Sequence, residues 1–356
     1  MTTLEQTIAN IRPADDAAMA TARTRWDSLA KPVGGLGRLE DLVVQLAGIV
    51  GTADVTLDKR LLVVTCADNG VVCHGVSASD ASVTRIMARA IGAGQSTVCQ
   101  MARHARCEVL PVDVGMLEGP RVPGVRTRPV RPGGTDDIVY GPAMTRDECV
   151  RAIELGIDLV HECKEMDVSI VLTGEMGIGN TTTSCAVACA LLGRSPEEFV
   201  GPGTGLCAEG VAHKIAIIES ALESNRPDAT DAIDVLAKVG GFDLATLCGI
   251  CLGGASHRVP VLLDGIITLA AATCAVRLSP ACRFALLGSH VSAEPVAHLL
   301  LDELGLDAPI HAGMHLGEGT GAVAALGLID VALEAYRRTS TLDQLDIDGY
   351  QPAIHP

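Results

Sequence analysis

The sequence predicts an α/β fold: a Rossmann-like parallel sheet with helices on both faces, plus a small helical domain assembled from the chain ends. Three observations predict it. Short apolar runs rich in Val, Ile and Leu recur along the chain, and each ends in a polar or glycine-containing cluster. Helical stretches separate these runs, and continuous apolar strands of this kind suit a parallel sheet covered on both sides. The composition agrees: 48% hydrophobic residues, with 38 glycines and 2% aromatics, favour aliphatic packing and tight turns. A length of 356 residues accommodates one large α/β domain with a smaller attachment.

Residues 1 to about 50 read as helical, with Trp26-Asp-Ser-Leu29 and Leu39 to Leu46 at helical spacing and a loop at Lys31-Pro-Val-Gly-Gly-Leu-Gly-Arg38. Strands follow at Leu61–Thr65, before Cys66-Ala-Asp-Asn-Gly70, and at Val109–Val112, before Asp113-Val-Gly115. Three more are expected: Ser169–Leu172 before Thr173-Gly-Glu175, Val261–Leu263 before Asp264-Gly265, and Phe284–Leu287 before Gly288-Ser-His290. The Pro, Gly and Arg-rich segment 121–141 lacks either period and reads as a long loop or edge excursion. A last helix is expected over about Ala322–Tyr336. This divides the chain into a small helical domain, 1–55 with about 335–356, and a large catalytic domain, 56–334. In such a sheet ligands bind beyond the carboxyl ends of the strands, so the polar clusters should gather along one edge.

Charge and cysteines bound the function. With 43 acidic against 27 basic residues the formal charge is −16, a surface that repels nucleic acid and anionic membranes alike. An anionic small substrate would need a local nest of N–H groups and a placed cation. Thirteen cysteines and an amino terminus without a basic or apolar leader point to reduced thiols in the cytoplasm. Cys248-Gly-Ile-Cys251 has redox or half-zinc spacing but no second ligand pair, so buried structural cysteines are expected. The most apolar stretch, Val259 to Val276, is broken by Asp264-Gly265, whereas a membrane span needs about 20 apolar residues.

Four stretches carry chemistry. Thr173-Gly-Glu-Met-Gly-Ile-Gly-Asn-Thr-Thr-Thr183 lies between a strand and a helix, where glycines admit an anion to the backbone and Asn180 to Thr183 offer donors at a helix N-terminus. Gly174 and Gly179 have P-loop spacing, and Leu262-Leu263-Asp264 resembles a Walker B strand. However, Asn180 stands where the P-loop lysine would be, which favours a monophosphate over a triphosphate. Val200-Gly-Pro-Gly-Thr-Gly205 precedes a helix carrying Lys214, a point charge suited to phosphate. In Leu316-Gly-Glu318-Gly-Thr-Gly321 a carboxylate flanked by glycines opens the last helix; a lone Glu there complements the helix dipole, but bare glycines leave this one free to meet a ligand as a general base. Asp68, Asp113 and Glu175 should face the same crevice. His311 and His315 lack the zincin glutamate and read as loop histidines, and Ser289-His290 is no hydrolase elbow.

Taken together, Lys31–Glu40, Cys66–Gly70, Gly174–Thr182, Lys238-Val-Gly-Gly-Phe-Asp-Leu244, Val261–Gly265 and Leu316–Gly321 resemble, in order, the nicotinate-nucleotide–dimethylbenzimidazole phosphoribosyltransferase family. The resemblance implies a homodimeric enzyme of cobalamin lower-ligand assembly, moving the phosphoribosyl group of nicotinate mononucleotide to 5,6-dimethylbenzimidazole or a related base. It places Glu318 as the catalytic base. Glu175, Gly177, Gly179, Asn180, Thr181, Gly203 and Lys214 then hold ribose and phosphate, and Ser79, Met87 and Leu316 line the base pocket. No cofactor or metal is required, because the pyridinium-type leaving group already carries positive charge; carboxylates such as Glu175 would stabilise the oxocarbenium-like charge at C1′. The chain departs from the commonest family pattern at Val33 (for Pro), Asn69 (for His), His315 (for Arg) and Met87 (for Gln in some relatives). An apolar Met87 leaves another benzimidazole, a purine or a phenolic acceptor open. A non-catalytic nucleotide-binding subunit and an NTPase are the competing readings.

Overall fold

The computed structural model describes residues 3–201 and 205–348. Six strands, β1 Arg60–Ala67, β2 Cys107–Gly115, β3 Arg126–Thr127, β4 Ile170–Met176, β5 Val261–Leu263 and β6 Leu286–Gly288, form one sheet in the order β3-β2-β1-β4-β5-β6. Every pairing is parallel, which is the doubly wound order with its switch point between β1 and β4.

The central strands are largely apolar because both faces are covered. All eight residues of β1 are buried. Helix Phe242–His257 packs across β1, β2 and β4 with helix Arg146–Glu165 behind it, while helix Thr320–Arg338 also packs on β4. The first two helices meet backbone to backbone, since Gly156 lies against the Thr246 carbonyl and Gly249 against that of Ile153. Cys248 and Cys251 sit in this contact, fully buried and free. Burial pushes the Cys251 thiol up to about 12, as expected of a structural and not a redox cysteine.

Several boundaries differ from the sequence reading, and β1 and β2 extend beyond the expected runs, to Arg60–Ala67 and Cys107–Gly115. β4 does not end at Leu172: it runs through Gly174 because Thr65↔Glu175 and Cys66↔Met176 remain paired with β1. β6 starts at Leu286, since Pro280 opens a 3₁₀ turn that takes in Phe284. The segment 121–141 donates the short edge strand β3 beside Val112 and Asp113, with Arg126 and Arg128 tied to Glu162 on helix Arg146–Glu165. Two residues carry no readable period.

The amino-terminal helices Leu4–Asn10, Asp16–Ser28 and Arg38–Val50 follow the N-cap residues Thr3, Asp15 and Gly37. The second joins the end of the chain: Trp26 stacks on Tyr336 with ring centroids 5.0 Å apart, Arg25 donates to the Tyr336 carbonyl at 3.0 Å, and Leu29 bridges Thr341. Lys31 and Glu40 of the early glycine-rich loop pair at 2.7 Å. The buried apolar residues of this arm run without a break into the core around the sheet. No described helix is long and apolar enough to cross a membrane.

Candidate active site

The carboxyl ends of the strands bring the predicted polar clusters to one edge. Behind β1, Asp68 accepts the Leu117 amide at 2.7 Å, and Asn69 donates to the Ile178 carbonyl, tying this loop to the one behind β4. Asp113 turns back on its own strand end, accepting the amides of Gly115 and Met116 at 3.1 and 2.9 Å, and is a structural cap.

Glu175 lies on the last turn of the β4 ladder and is buried. Asn180, the first residue of helix Asn180–Leu192, donates its amide to Glu175 and to Asp243, the latter at 3.2 Å. Gly177 could hold no side chain here: a Cβ would meet the Ala67 carbonyl at 2.6 Å and an Asp243 oxygen at 2.9 Å. Gly177 therefore lets two protein loops touch. At the same helix start Thr181 accepts a 2.8 Å hydrogen bond from the Lys214 ammonium. Lys214 is 1% exposed, and among the described residues it forms no ion pair. A buried cation beside a helix N-terminus is an anion site in charge and in geometry.

Glu318 sits between Gly317 and Gly319, and Gly317, Glu318 and Gly319 have positive φ of 84°, 60° and 94°. Left-handed backbone at a non-glycine residue costs on the order of 1–3 kcal/mol and persists only where its surroundings hold it. Asp264, just past β5, supplies the hold: its oxygens accept the amides of Gly319, Gly321 and Ala322 at 3.1, 2.7 and 3.2 Å. Both oxygens of the Walker B-like aspartate are thereby engaged with the glutamate loop. Gly321 in turn presses on the His290 ring, where a Cβ would come within 1.9 Å of Nδ1. The Glu318 side chain is 4% exposed, and its Oε2 has no hydrogen-bond partner among the described residues.

Burial governs the protonation of this cluster. It pushes Glu175 up to about 8 from an ordinary 4.5, helped by the nearby Asp243 and Asp264 and opposed by the Asn180 amide. Asp243 is pushed by burial to about 6. Glu318 is also raised by burial, while the Val98 amide and the Ser96 hydroxyl, at the start of helix Thr97–His104, draw it back. Burial thus favours the neutral form of Glu175 in the unliganded protein.

A carboxyl held at about 8 favours folding most at low pH, and that contribution is lost as the pH rises through its folded value. Glu175→Gln should consequently be more stable than the parent above about pH 8, by at least ~1 kcal/mol, with the difference shrinking towards pH 4.5. Urea melts of both proteins across this range check it; a pH-independent difference would refute the assignment.

The remaining expected site residues are dispersed. Ser79 is half-buried on the turn before helix Ser82–Gly92, Met87 is half-buried on that helix, and Leu316 is 50% exposed. No hydrogen bond joins these three. Thr84, one helical turn before Met87, accepts the Ile178 amide at 3.1 Å and so docks this helix face on the loop behind β4. Gly203 lies outside the described residues.

The comparisons with known proteins agree over nearly the whole chain. A family model described as phosphoribosyltransferase matches residues 11–347. A nicotinate-nucleotide–dimethylbenzimidazole phosphoribosyltransferase of Ruminiclostridium cellulolyticum is 45% identical over 98% of this chain and 99% of its own. The chain belongs to that family. A second relative of the same name, from Acetivibrio thermocellus, is 42% identical over 99% of this chain and 100% of its own. The crystal structure of the Thermus thermophilus phosphoribosyltransferase of this name superposes with a TM-score of 0.87 at 37% identity, covering 94% of this chain and 99% of that one.

Within this phosphoribosyltransferase, Asp243, Ser96 and Val98 were missed as site residues in the sequence. Asp243 was visible only inside a glycine-rich stretch, and an Asp at a helix start reads as an ordinary dipole partner. Ser96 and Val98 carry no local signal at all. At the departures from the family pattern, Asn69 ties two loops as described, whereas His315 is exposed and bonds only to the Gly313 carbonyl at 3.0 Å. Val33 is 52% exposed, and nothing in the structure explains it.

Proposed function

We propose that this phosphoribosyltransferase transfers the phosphoribosyl group of nicotinate mononucleotide to 5,6-dimethylbenzimidazole or a related base, releasing nicotinate and an α-ribazole 5′-phosphate-type nucleotide for cobalamin lower-ligand assembly. The observation that carries this reading is the buried Glu318 carboxyl, whose Oε2 has no hydrogen-bond partner among the described residues, on a left-handed loop that packs against Glu175 through Gly317. One nitrogen of the base attacks C1′ from the face opposite nicotinate. The C1′–N bond to nicotinate breaks, its electron pair neutralises the pyridinium ring, and Glu318 takes the proton from the other nitrogen of the base. Attack on the far face accounts for inversion at C1′.

Lys214, Thr181 and the N-terminus of helix Asn180–Leu192 take the phosphate, with Gly177 and Gly179 shaping the adjoining loop; Gly203, expected with them, lies outside the described residues. Glu175 and Asn180 hold the ribose. A bound pyridinium cation would draw Glu175 back towards its charged form, so the negative charge opposite C1′ develops with the substrate. Ser79, Met87 and Leu316 border the acceptor, and an apolar Met87 fits acceptors other than dimethylbenzimidazole itself. The protein acts in the cytoplasm as a homodimer, with a small domain over 1–55 and about 335–356, of which the structure describes 3–55 and 335–348, beside the large domain 56–334.

The test is product formation. Incubation with nicotinate mononucleotide and a panel of benzimidazoles, purines and phenols should release nicotinate and the matching ribotide, read by mass spectrometry. Absence of product with every base would overturn the proposal in favour of a non-catalytic nucleotide-binding subunit.

A further inference from the structure

Away from the carboxylate crevice, the described residues hold one grouping of metal-ligating side chains, Cys73, His74 and Asp137, whose donor atoms all lie within 4.8 Å of one another. Cys73 Sγ is 3.4 Å from Asp137 Oδ2, and His74 Nε2 is 2.7 Å from the same oxygen. Tetrahedral zinc with bonds of about 2.0–2.3 Å spaces its donors by roughly 3.3–3.8 Å. The 3.4 Å sulfur–oxygen spacing already lies in that range, and the 2.7 Å nitrogen–oxygen spacing would open by about 0.6 Å to reach it.

The frame around these donors is already built. Cys73 and His74 end the 3₁₀ turn Gly70–His74 behind β1. Gly70 at its start lies so close to Asp136 that a Cβ would meet the Asp136 carbonyl carbon at 2.5 Å, and its amide donates to Thr135 Oγ1 at 3.3 Å. The two ligand-bearing segments are thus clamped together whether or not an ion is bound. Asp137 Oδ1 accepts the Val139 amide at 3.0 Å, which fixes the carboxylate and turns Oδ2 towards the other two donors. Hydrogen bonds of this kind orient the ligands themselves in metal sites. Cys73 is exposed, and His74 and Asp137 are 19% and 20% exposed, so an ion has an entry path and a water can fill the fourth position.

We propose that Cys73, His74 and Asp137 bind one zinc-class divalent cation, with water as the fourth ligand. A thiolate and a carboxylate neutralise its two charges, and the thiolate and imidazole select zinc over magnesium or calcium. Cys73 releases its thiol proton to solvent as the sulfur–metal bond forms. The ion is structural. It braces the turn whose Val72 packs on Gly179 and whose His74 carbonyl accepts a 2.6 Å bond from His213, the neighbour of Lys214.

Titration of the metal-free full-length protein with Co²⁺ tests this, because thiolate ligation produces a near-ultraviolet charge-transfer band. The band should saturate at one equivalent and bleach when Zn²⁺ is added. It should vanish in Cys73→Ser and persist in Cys207→Ser, which removes the other exposed cysteine. His74→Ala and Asp137→Asn should each weaken binding at least about tenfold. Zn²⁺ should raise the melting temperature of the parent and leave that of Cys73→Ser unmoved. No band in the parent, or an unchanged band in Cys73→Ser, would overturn the site.

Discussion

Glu318→Gln is expected to lower turnover by at least about 10²-fold, the usual scale for loss of a general base, while folding and nucleotide binding persist. Gln is isosteric and neutral, so it keeps the loop held by Asp264 but cannot take a proton from the acceptor. Because burial raises the Glu318 carboxyl, and the base must be deprotonated to act, kcat/KM of the parent should fall as the pH drops through a value above the ordinary glutamate range. The residual rate of the variant should lack that acid limb. Steady-state kinetics across pH on both proteins, with nucleotide affinity measured by calorimetry, separate this from a folding defect. Near-normal turnover, or an unaltered acid limb, would remove Glu318 from proton transfer.

Lys214→Ala should weaken binding of nicotinate mononucleotide by roughly 10–100-fold, the range of a charge-assisted hydrogen bond worth about 1.5–3 kcal/mol, and leave affinity for the free base unchanged. The asymmetry follows from position: the ammonium is buried at the start of helix Asn180–Leu192, 2.8 Å from Thr181, the place proposed for the phosphate and not for the acceptor ring. Lys214→Met, which retains the aliphatic stem, should show the same loss of nucleotide affinity with little loss of packing. Equal weakening for nucleotide and base would place Lys214 outside the phosphate site.

The two variants probe residues that were legible to different degrees. Glu318 was visible because three glycines around one carboxylate are improbable in a plain helix start, and its left-handed φ of 60° between two left-handed glycines bears out a loop under conformational demand. Lys214 was visible only through the family resemblance, since one lysine on a helix is usually solvated; the fold turns it inward to Thr181. The close contact at Gly177 was not legible, because the Ala67 carbonyl and Asp243 lie far from it in the chain.

The parallel α/β class, five of the six strands, the helical amino-terminal arm and the gathering of strand-end clusters on one edge are legible in the residues alone. These follow from local apolar runs and turn residues, whose periods are properties of contiguous segments. Folding adds that β4 carries Glu175 within its ladder, that a two-residue strand closes the edge, that Asn180 bridges Glu175 and Asp243, and that Asp264 clasps the Glu318 loop. It also brought Asp137 to Cys73 and His74. Each of these joins residues far apart in sequence, and the raised carboxyls follow from burial, a property that exists only once the chain has closed around them.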